Sequence, residues 1–441
     1  MKPFLTILLF SLAIVGMGYF LPRSEFFMQL ALFSLSFIAY FFLVYTVKNK
    51  GYSFIFIFFT ALFLRFLLLG SMPVLSDDFY RFFFDGQLLK LGINPYASLP
   101  AELLVNGTIP ENIYWETLLS KMNSPNYFSV YPPLHQLFFW VSTWVGEDLF
   151  FNILSLRSII VLFEMINIWL IKEILSLLKL PKYRLAWYAF NPLVIIELTG
   201  NLHFEGLVLT GLLMGLYFYC RQNAKKAAIG WSLAAALKLS PLLTAPVWLK
   251  AWGKTDFRTF ALISFLSLVL FLSPILAGGH LMNFYTSFRL YQSNFEFNAS
   301  IYYVLRYIGT YFLGYNPIGT LGPTLNFLAA FFLLWIGLAQ KKEDASGLAA
   351  NLVWMYLIFL LLQTTIHPWY LIPALGISVF TTNYLFIGWS GLVFLSYHAY
   401  SDQNYNENLW IVFAEYFLLF LLGIFLLHQY YPTKWTKIIE K

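Results

Sequence analysis

Apolar runs of roughly 20 residues recur from one end of this chain to the other, each long enough as a helix to cross about 30 Å of hydrocarbon. Backbone polar groups in lipid must be satisfied within a helix or a closed barrel, so this feature leaves two classes of fold. Stretches such as "FIFIFFTALFLRFLLLG" do not alternate apolar and polar residues, which removes the barrel. With 60% hydrophobic and 11% charged residues over 441 positions, and a mean hydropathy of +0.70, a soluble globule would lack the polar surface to cover itself. The chain is predicted to be an all-α polytopic membrane protein.

Basic residues fall in short clusters between the apolar runs, which argues against a nucleic-acid stripe despite a net charge of +6. Lys48 with Lys50, Lys182 with Arg184, Arg221 with Lys225 and Lys226, Lys250 with Lys254 and Arg258, Lys341 with Lys342, and Lys434, Lys437 and Lys441 can all be put on the cytoplasmic side. That choice predicts about 13–14 helices, near 3–20, 26–47, 52–70, 151–177, 185–200, 205–220, 227–239, 241–250, 259–277, 321–340, 347–364, 369–381, 384–398 and 410–430, with both termini in the cytoplasm. The first is read as a retained helix, because no small-x-small cleavage pattern follows it. Segment 131–146, "YPPLHQLFFWVSTWVG", is read as a re-entrant or surface helix, since a full crossing there would put Lys182 and Arg184 outside. Segment 227–250 is too short for two crossings and reads as a hairpin turning near Lys238, Ser240 and Pro241. Lone Cys220 excludes a disulfide framework and a cysteine metal cluster. One domain, residues 1–441, is the economical reading.

The longest polar interval, within 71–150, lies outside and opens on "SDDFYRFFFDG". Asp78, Arg81 and Asp85 fall at i, i+3 and i+7, which predicts a juxtamembrane helix with a charged, hydrated face. The same boundary collects Asn201, His203 and Glu205 of "GNLHFEG", Lys238 at the hairpin turn, the stretch from Phe288 to Arg306, and His367, Trp369 and Tyr370 of "TIHPWYL". Polar groups where helices meet at a surface are how an interfacial pocket is lined.

Plainer roles compete at each position. Trp369 and Tyr370 suit an aromatic belt, His203 with Glu205 suits a helix cap, and lone His280, His398 and His428 suggest no site. Asn298-Ala299-Ser300 matches the three-residue glycosylation pattern, a weak signal. A lysine in a small-residue hairpin either snorkels or meets an anion, and Lys238 is read as meeting one. Adjacent Asp77 and Asp78 beside an apolar run suit a proton acceptor or a metal ligand, with a helix cap as the alternative.

A cation at headgroup level with paired carboxylates above it suits a reaction on a lipid-linked phosphate. One carboxylate takes the acceptor hydroxyl's proton, and the cation stabilises the departing phosphate. The ordered succession "SDDFYRFFFDGQLLKLGINPY", "YPPLHQLFFW", "SLRS", "NPLVIIELTGNLHFEG", "ALKLSPLL", "FNASIYYVLR" and "HPWYL" resembles the GT-C superfamily of polytopic glycosyltransferases. Within it, the likeness is to bacterial polyprenol-phosphate-mannose-dependent mannosyltransferases, over about 60–380. The resemblance implies a GT-C-like bundle with a periplasmic first catalytic loop in a bacterial inner membrane. It implies inverting transfer from a polyprenyl phosphate sugar to a lipid or glycan acceptor. It also implies Asp77 as base with Asp78 beside it and Lys238 on the phosphate, with Arg81, His203, Glu205, His367, Tyr370 and Arg306 lining the site. Two helices precede the one leading into the acidic loop, a departure from the family's usual start. Some relatives hold a divalent metal near this loop, and Asp78, His203 and Glu205 are the candidate ligands here.

Two other classes compete with this reading. A transporter or lipid flippase would place ionisable groups near the membrane midplane, whereas these gather at one surface. A partner-binding scaffold would use 71–130 for docking and needs no convergent cations.

Overall fold

The computed structural model describes residues 3–340, 344–402 and 404–430. Six of its helices are long and apolar enough to cross a membrane: Pro3–Phe20, Phe26–Lys50, Leu149–Leu177, Lys254–Leu276, Ile318–Ala339 and Leu409–His428. A seventh is reached if Pro192–Gly200 and Glu205–Cys220, bent by 116° at their break, count as one span. Phe54–Phe66 and Ala345–Leu361 are shorter apolar helices. The protein is a multi-pass all-α membrane protein. Its outermost helices turn Phe265, Leu270, Phe413 and Phe420 outward, as a lipid-facing surface requires.

Several expected spans are interrupted for local reasons. Segment 185–200 breaks at Asn191-Pro192: the proline brings no amide, and Asn191 Oδ1 accepts from the amides of Leu193 (3.0 Å) and Val194 (3.3 Å), starting a new helix. Two helices outside the expected set, Leu281–Ser293 and Ile301–Leu313, occupy the stretch after Lys254–Leu276. The 227–250 hairpin is present. Ala224–Leu237 ends at Lys238, whose backbone is extended, and Ser240–Thr244 with Ala245–Ala251 return. Trp231 Nε1 donates to Thr244 Oγ1 (3.1 Å), and the Tyr219 hydroxyl reaches the Ala251 carbonyl (3.2 Å), so the arms come back to one level. This arm packs backbone to backbone on Glu205–Cys220: a Cβ on Gly211 would lie 2.6 Å from the Ala234 nitrogen.

Segment 131–146 forms Pro133–Ser142, ten residues that cover about 15 Å, half of a hydrocarbon core. It lies against Asp78–Lys90 so closely that a Cβ on Gly86 would meet the Phe139 carbonyl oxygen at 2.5 Å. The long polar interval is itself helical, at Asp78–Lys90, Pro100–Val105 and Ile113–Lys121.

One expectation is overturned here. The charged face of Asp78–Lys90 is not hydrated beyond its first turn: every residue from Phe79 to Leu88 is buried. Arg81 Nε donates to Asp85 Oδ1 at 2.7 Å, with the side chains 2% and 0% exposed. The guanidinium also donates to the carbonyls of Ser124 (3.0 Å) and Tyr127 (2.8 Å), while Asp85 Oδ2 accepts from Ser129 Oγ (2.6 Å) and Gln136 Nε2 (2.8 Å). The segment 124–136 folds over the charged face, and burial is tolerable because the charges are paired and hydrogen-bonded.

Of the basic clusters, Lys48 lies over the Tyr183 ring, beside Lys182 and Arg184, and the Gln340 side chain donates to the Val247 carbonyl, near Lys250. Lys341, Lys342, Lys434, Lys437 and Lys441 lie outside the described residues.

Candidate functional site

Two buried networks fix the loops that carry the candidate residues. Arg157, of the "SLRS" segment, donates to the carbonyls of Leu69 (2.7 Å) and Ser71 (2.6 Å) on one side and of Thr199 (2.6 Å) and Gly200 (3.0 Å) on the other. One guanidinium thus clamps the chain before Asp77 to the chain before His203. Asn201 Oδ1 adds a second tie by accepting from the amides of Val74 (3.3 Å) and Leu75 (3.1 Å). Deeper in the bundle, Arg65 NH2 pairs with Glu164 Oε2 at 2.8 Å, and Asn167 of the same network donates to the Gly206 carbonyl (2.8 Å), holding the first turn of the helix that starts at Glu205.

On this frame Lys238, extended at the hairpin turn, places its ammonium against the Glu205 carboxylate and 3.8 Å from the centroid of the Tyr370 ring. His203 stacks on Trp369 (3.6 Å, 14°), Trp369 on His367 (4.4 Å, 2°), and His367 on Phe297 (4.9 Å, 27°). The row continues to Tyr400, over which Arg23 sits at 5.4 Å, and Arg23 NH1 donates to Asp77 Oδ2 at 2.6 Å. Asp78 Oδ1 accepts from Asn123 Nδ2 at 2.9 Å. Burial pushes the Asp78 carboxyl above the usual carboxylate range; the Asn123 hydrogen bond opposes this, the charges of Asp77 and Glu205 add to it, and Lys238 opposes it. The two aspartates, Glu205 and Lys238 therefore lie within electrostatic reach of one another.

A sequence profile of the family described as "Alpha-(1->6)-mannopyranosyltransferase, N-terminal domain" matches residues 26–254, just over half of the chain. The chain belongs to this mannopyranosyltransferase family. It is 26% identical over 218 residues to alpha-(1->6)-mannopyranosyltransferase A of Mycobacterium tuberculosis, covering 47% of this chain and 40% of that protein. A second alpha-(1->6)-mannopyranosyltransferase of the same organism is 25% identical over 160 residues, covering 35% of this chain and 25% of that protein. The chain thus aligns with less than half the length of each relative. The mannopyranosyltransferase segment contains Asp77, Asp78, His203, Glu205 and Lys238. His367, Tyr370 and Arg306 lie after it, and Arg23 lies just before it.

Within this mannopyranosyltransferase-family chain, Asp77, Asp78, His203, Glu205, Lys238, His367 and Tyr370 gather in one region. Arg81 and Arg306 are engaged elsewhere. Arg81 is locked to Asp85, and Arg306 pairs with Glu296 while lying 4.5 Å over the Tyr303 ring. Asn298 is fully buried and its amide donates to Glu415, a placement that does not suit glycosylation. Among the described residues no group of three or more His, Cys, Asp and Glu side chains is arranged to hold a metal ion. Of the suggested ligands, Asp78 accepts from Asn123 and Glu205 from Lys238, while buried His203 Nε2 has no hydrogen-bond partner and lies 3.6 Å from Glu197 Oε2.

Several residues of the region were missed by sequence reasoning. Arg23 is a cation on the side where cations are scarce, and that was the available signal. Glu197, a carboxylate in an apolar run, accepts from the Tyr397 hydroxyl (2.6 Å) and was legible by the rule that intramembrane charges carry meaning. His135, whose Nδ1 donates to the Leu237 carbonyl (3.1 Å) beside Lys238, had no signal short of the fold.

Proposed function

We propose that this protein is a membrane glycosyltransferase that moves a mannosyl unit from a polyprenyl phosphate sugar to a lipid or glycan acceptor at the periplasmic face of a bacterial inner membrane, with inversion. The gathering of Asp77 and Asp78 with Lys238, Glu205, Tyr370 and the two stacked histidines carries this reading. In it, the Asp77 carboxylate accepts the proton of the acceptor hydroxyl while that oxygen attacks the anomeric carbon. The bond from that carbon to the phosphate oxygen breaks, and its electron pair leaves with the polyprenyl phosphate. Lys238 stabilises the anion, for which it exchanges the Glu205 carboxylate, and the leaving group is weakly basic enough to need no general acid. Trp369 and Tyr370 offer ring surface to the sugar or the first lipid unit.

The test is incubation of purified protein with radiolabelled mannosyl, glucosyl, arabinosyl and galactosyl phosphoryl polyprenols in native membrane extract, followed by identification of the labelled product. Label is expected from the mannosyl donor and none from Asp77→Asn. Wild-type turnover by that variant would end the assignment of the base.

A further inference from the structure

Asp77 does not stand alone at the edge of its loop. Its Oδ2 accepts from Arg23 NH1 at 2.6 Å, and both side chains are about one-third exposed, at 32% and 29%. Arg23 is itself held on three sides: NH2 donates to the Tyr405 hydroxyl at 2.8 Å, and the guanidinium carbon lies 5.4 Å over the Tyr400 ring and 5.5 Å over that of Tyr405. It sits in the short turn between the first two membrane helices, Pro3–Phe20 and Phe26–Lys50. A lysine there would supply a point charge, whereas the planar guanidinium bonds a carboxylate on one edge and a phenol on the other while stacking on rings.

We infer that Arg23 is a positioning residue that aims the Asp77 carboxylate at the acceptor hydroxyl, with the N-terminal helix pair and the Tyr400–Tyr405 turn as its mount. The inference rests on Asp77 being the base. Three parts of the chain that are remote in sequence meet at this one cation: the turn at 21–25, the start of Asp78–Lys90, and the segment 400–405. Arg23 and both tyrosines lie outside the matched segment 26–254. The charged and titratable groups facing Asp77 are Arg23 and Asp78, with Tyr80 and Tyr400 next to them. Arg23 is the one cation paired with it among the described residues.

The full chain in lipid nanodiscs, supplied with mannosyl phosphoryl polyprenol and native acceptor extract, provides the test. Arg23→Ala is expected to lower the rate at saturating donor by about 10- to 100-fold, the size of effect that follows a reacting group displaced by about 1 Å. The donor KM should hold within about twofold, because the interaction removed is not a ground-state contact with donor. Arg23→Lys should recover part of that rate, and added guanidinium ion should recover part of it in Arg23→Ala. In an Asp77→Asn background, Arg23→Ala should leave donor binding unchanged, since a residue acting through Asp77 has nothing left to act on. A raised donor KM, or weaker donor binding in that background, would make Arg23 a donor contact and overturn the inference. A wild-type rate for Arg23→Ala would overturn it as well, while inactive Asp77→Asn left the base standing; active Asp77→Asn would remove both. Should Arg23→Ala fail to accumulate, Arg23→Gln replaces it with the same outcomes.

Discussion

Two carboxylate–arginine pairs meet at Asp78–Lys90 and the residue before it, one formed by neighbours on the helix and the other joined only by the fold. Arg81–Asp85 is sealed: its side chains are 2% and 0% exposed, two carbonyls accept from the guanidinium, and a serine and a glutamine donate to the carboxylate. Arg23–Asp77, at the mouth of the same helix, is about one-third exposed. The first pair is a fastener for the segment 124–136. The second is the pair that, on the proposed reading, meets the substrate hydroxyl. Charge near an active site is therefore not a guide to chemistry until burial and saturation of hydrogen bonds are known.

Substitution separates the two pairs most sharply. Asp77→Asn is expected to reduce transfer by about 1,000-fold or more with normal yield and melting temperature, the range for removal of a general base, measured as label incorporated per folded molecule. Asp85→Asn should do the reverse. It leaves a buried guanidinium without its counter-charge, which costs about 3–5 kcal/mol, so thermal unfolding in nanodiscs should show a large loss of stability while surviving molecules keep their rate within about twofold.

Lys238 tests the same contrast from the cation's side. Lys238→Ala should raise the donor KM by about tenfold or more and lower the rate, and Lys238→Arg should restore part of the affinity; steady-state kinetics against donor concentration checks both. A Lys238→Ala variant that loses fold and keeps its KM would move this residue into the fastener class.

The smallest effect concerns Asp78. Its folded-state carboxyl is raised, with burial the leading cause, so ionisation opposes folding once the pH exceeds the unfolded-state value. That opposition is absent at low pH, where the group is protonated in both states, and complete above the raised value. Asp78→Asn should therefore melt at a higher temperature than wild type near pH 8, with the gap closing as the pH falls toward 4, read by thermal unfolding across that series.

The class of fold was legible because apolar runs leave a chain few choices. Breaks within the runs were partly legible: Asn191-Pro192 is a readable dipeptide, whereas the helix Ile301–Leu313 hid in a tyrosine-rich stretch that reads as an aromatic belt. The site was legible where residue type and location jointly demanded an explanation, as for Lys238 in a small-residue hairpin and for adjacent aspartates. It was not legible where direction decides. The i, i+4 spacing of Arg81 and Asp85 announces a pair, but nothing in it says that residues 124–136 will cover that face. Arg23, Tyr400 and Asp77 are joined only by the fold.

An experimental structure of the protein in nanodiscs with a polyprenyl phosphate bound tests the account most directly. The expected result is a phosphate within hydrogen-bonding distance of Lys238 Nζ, in a cavity that also receives the Asp77 carboxylate. A phosphate bound at the opposite membrane surface, or a Lys238 that stays on Glu205 with the lipid seated elsewhere, would contradict it.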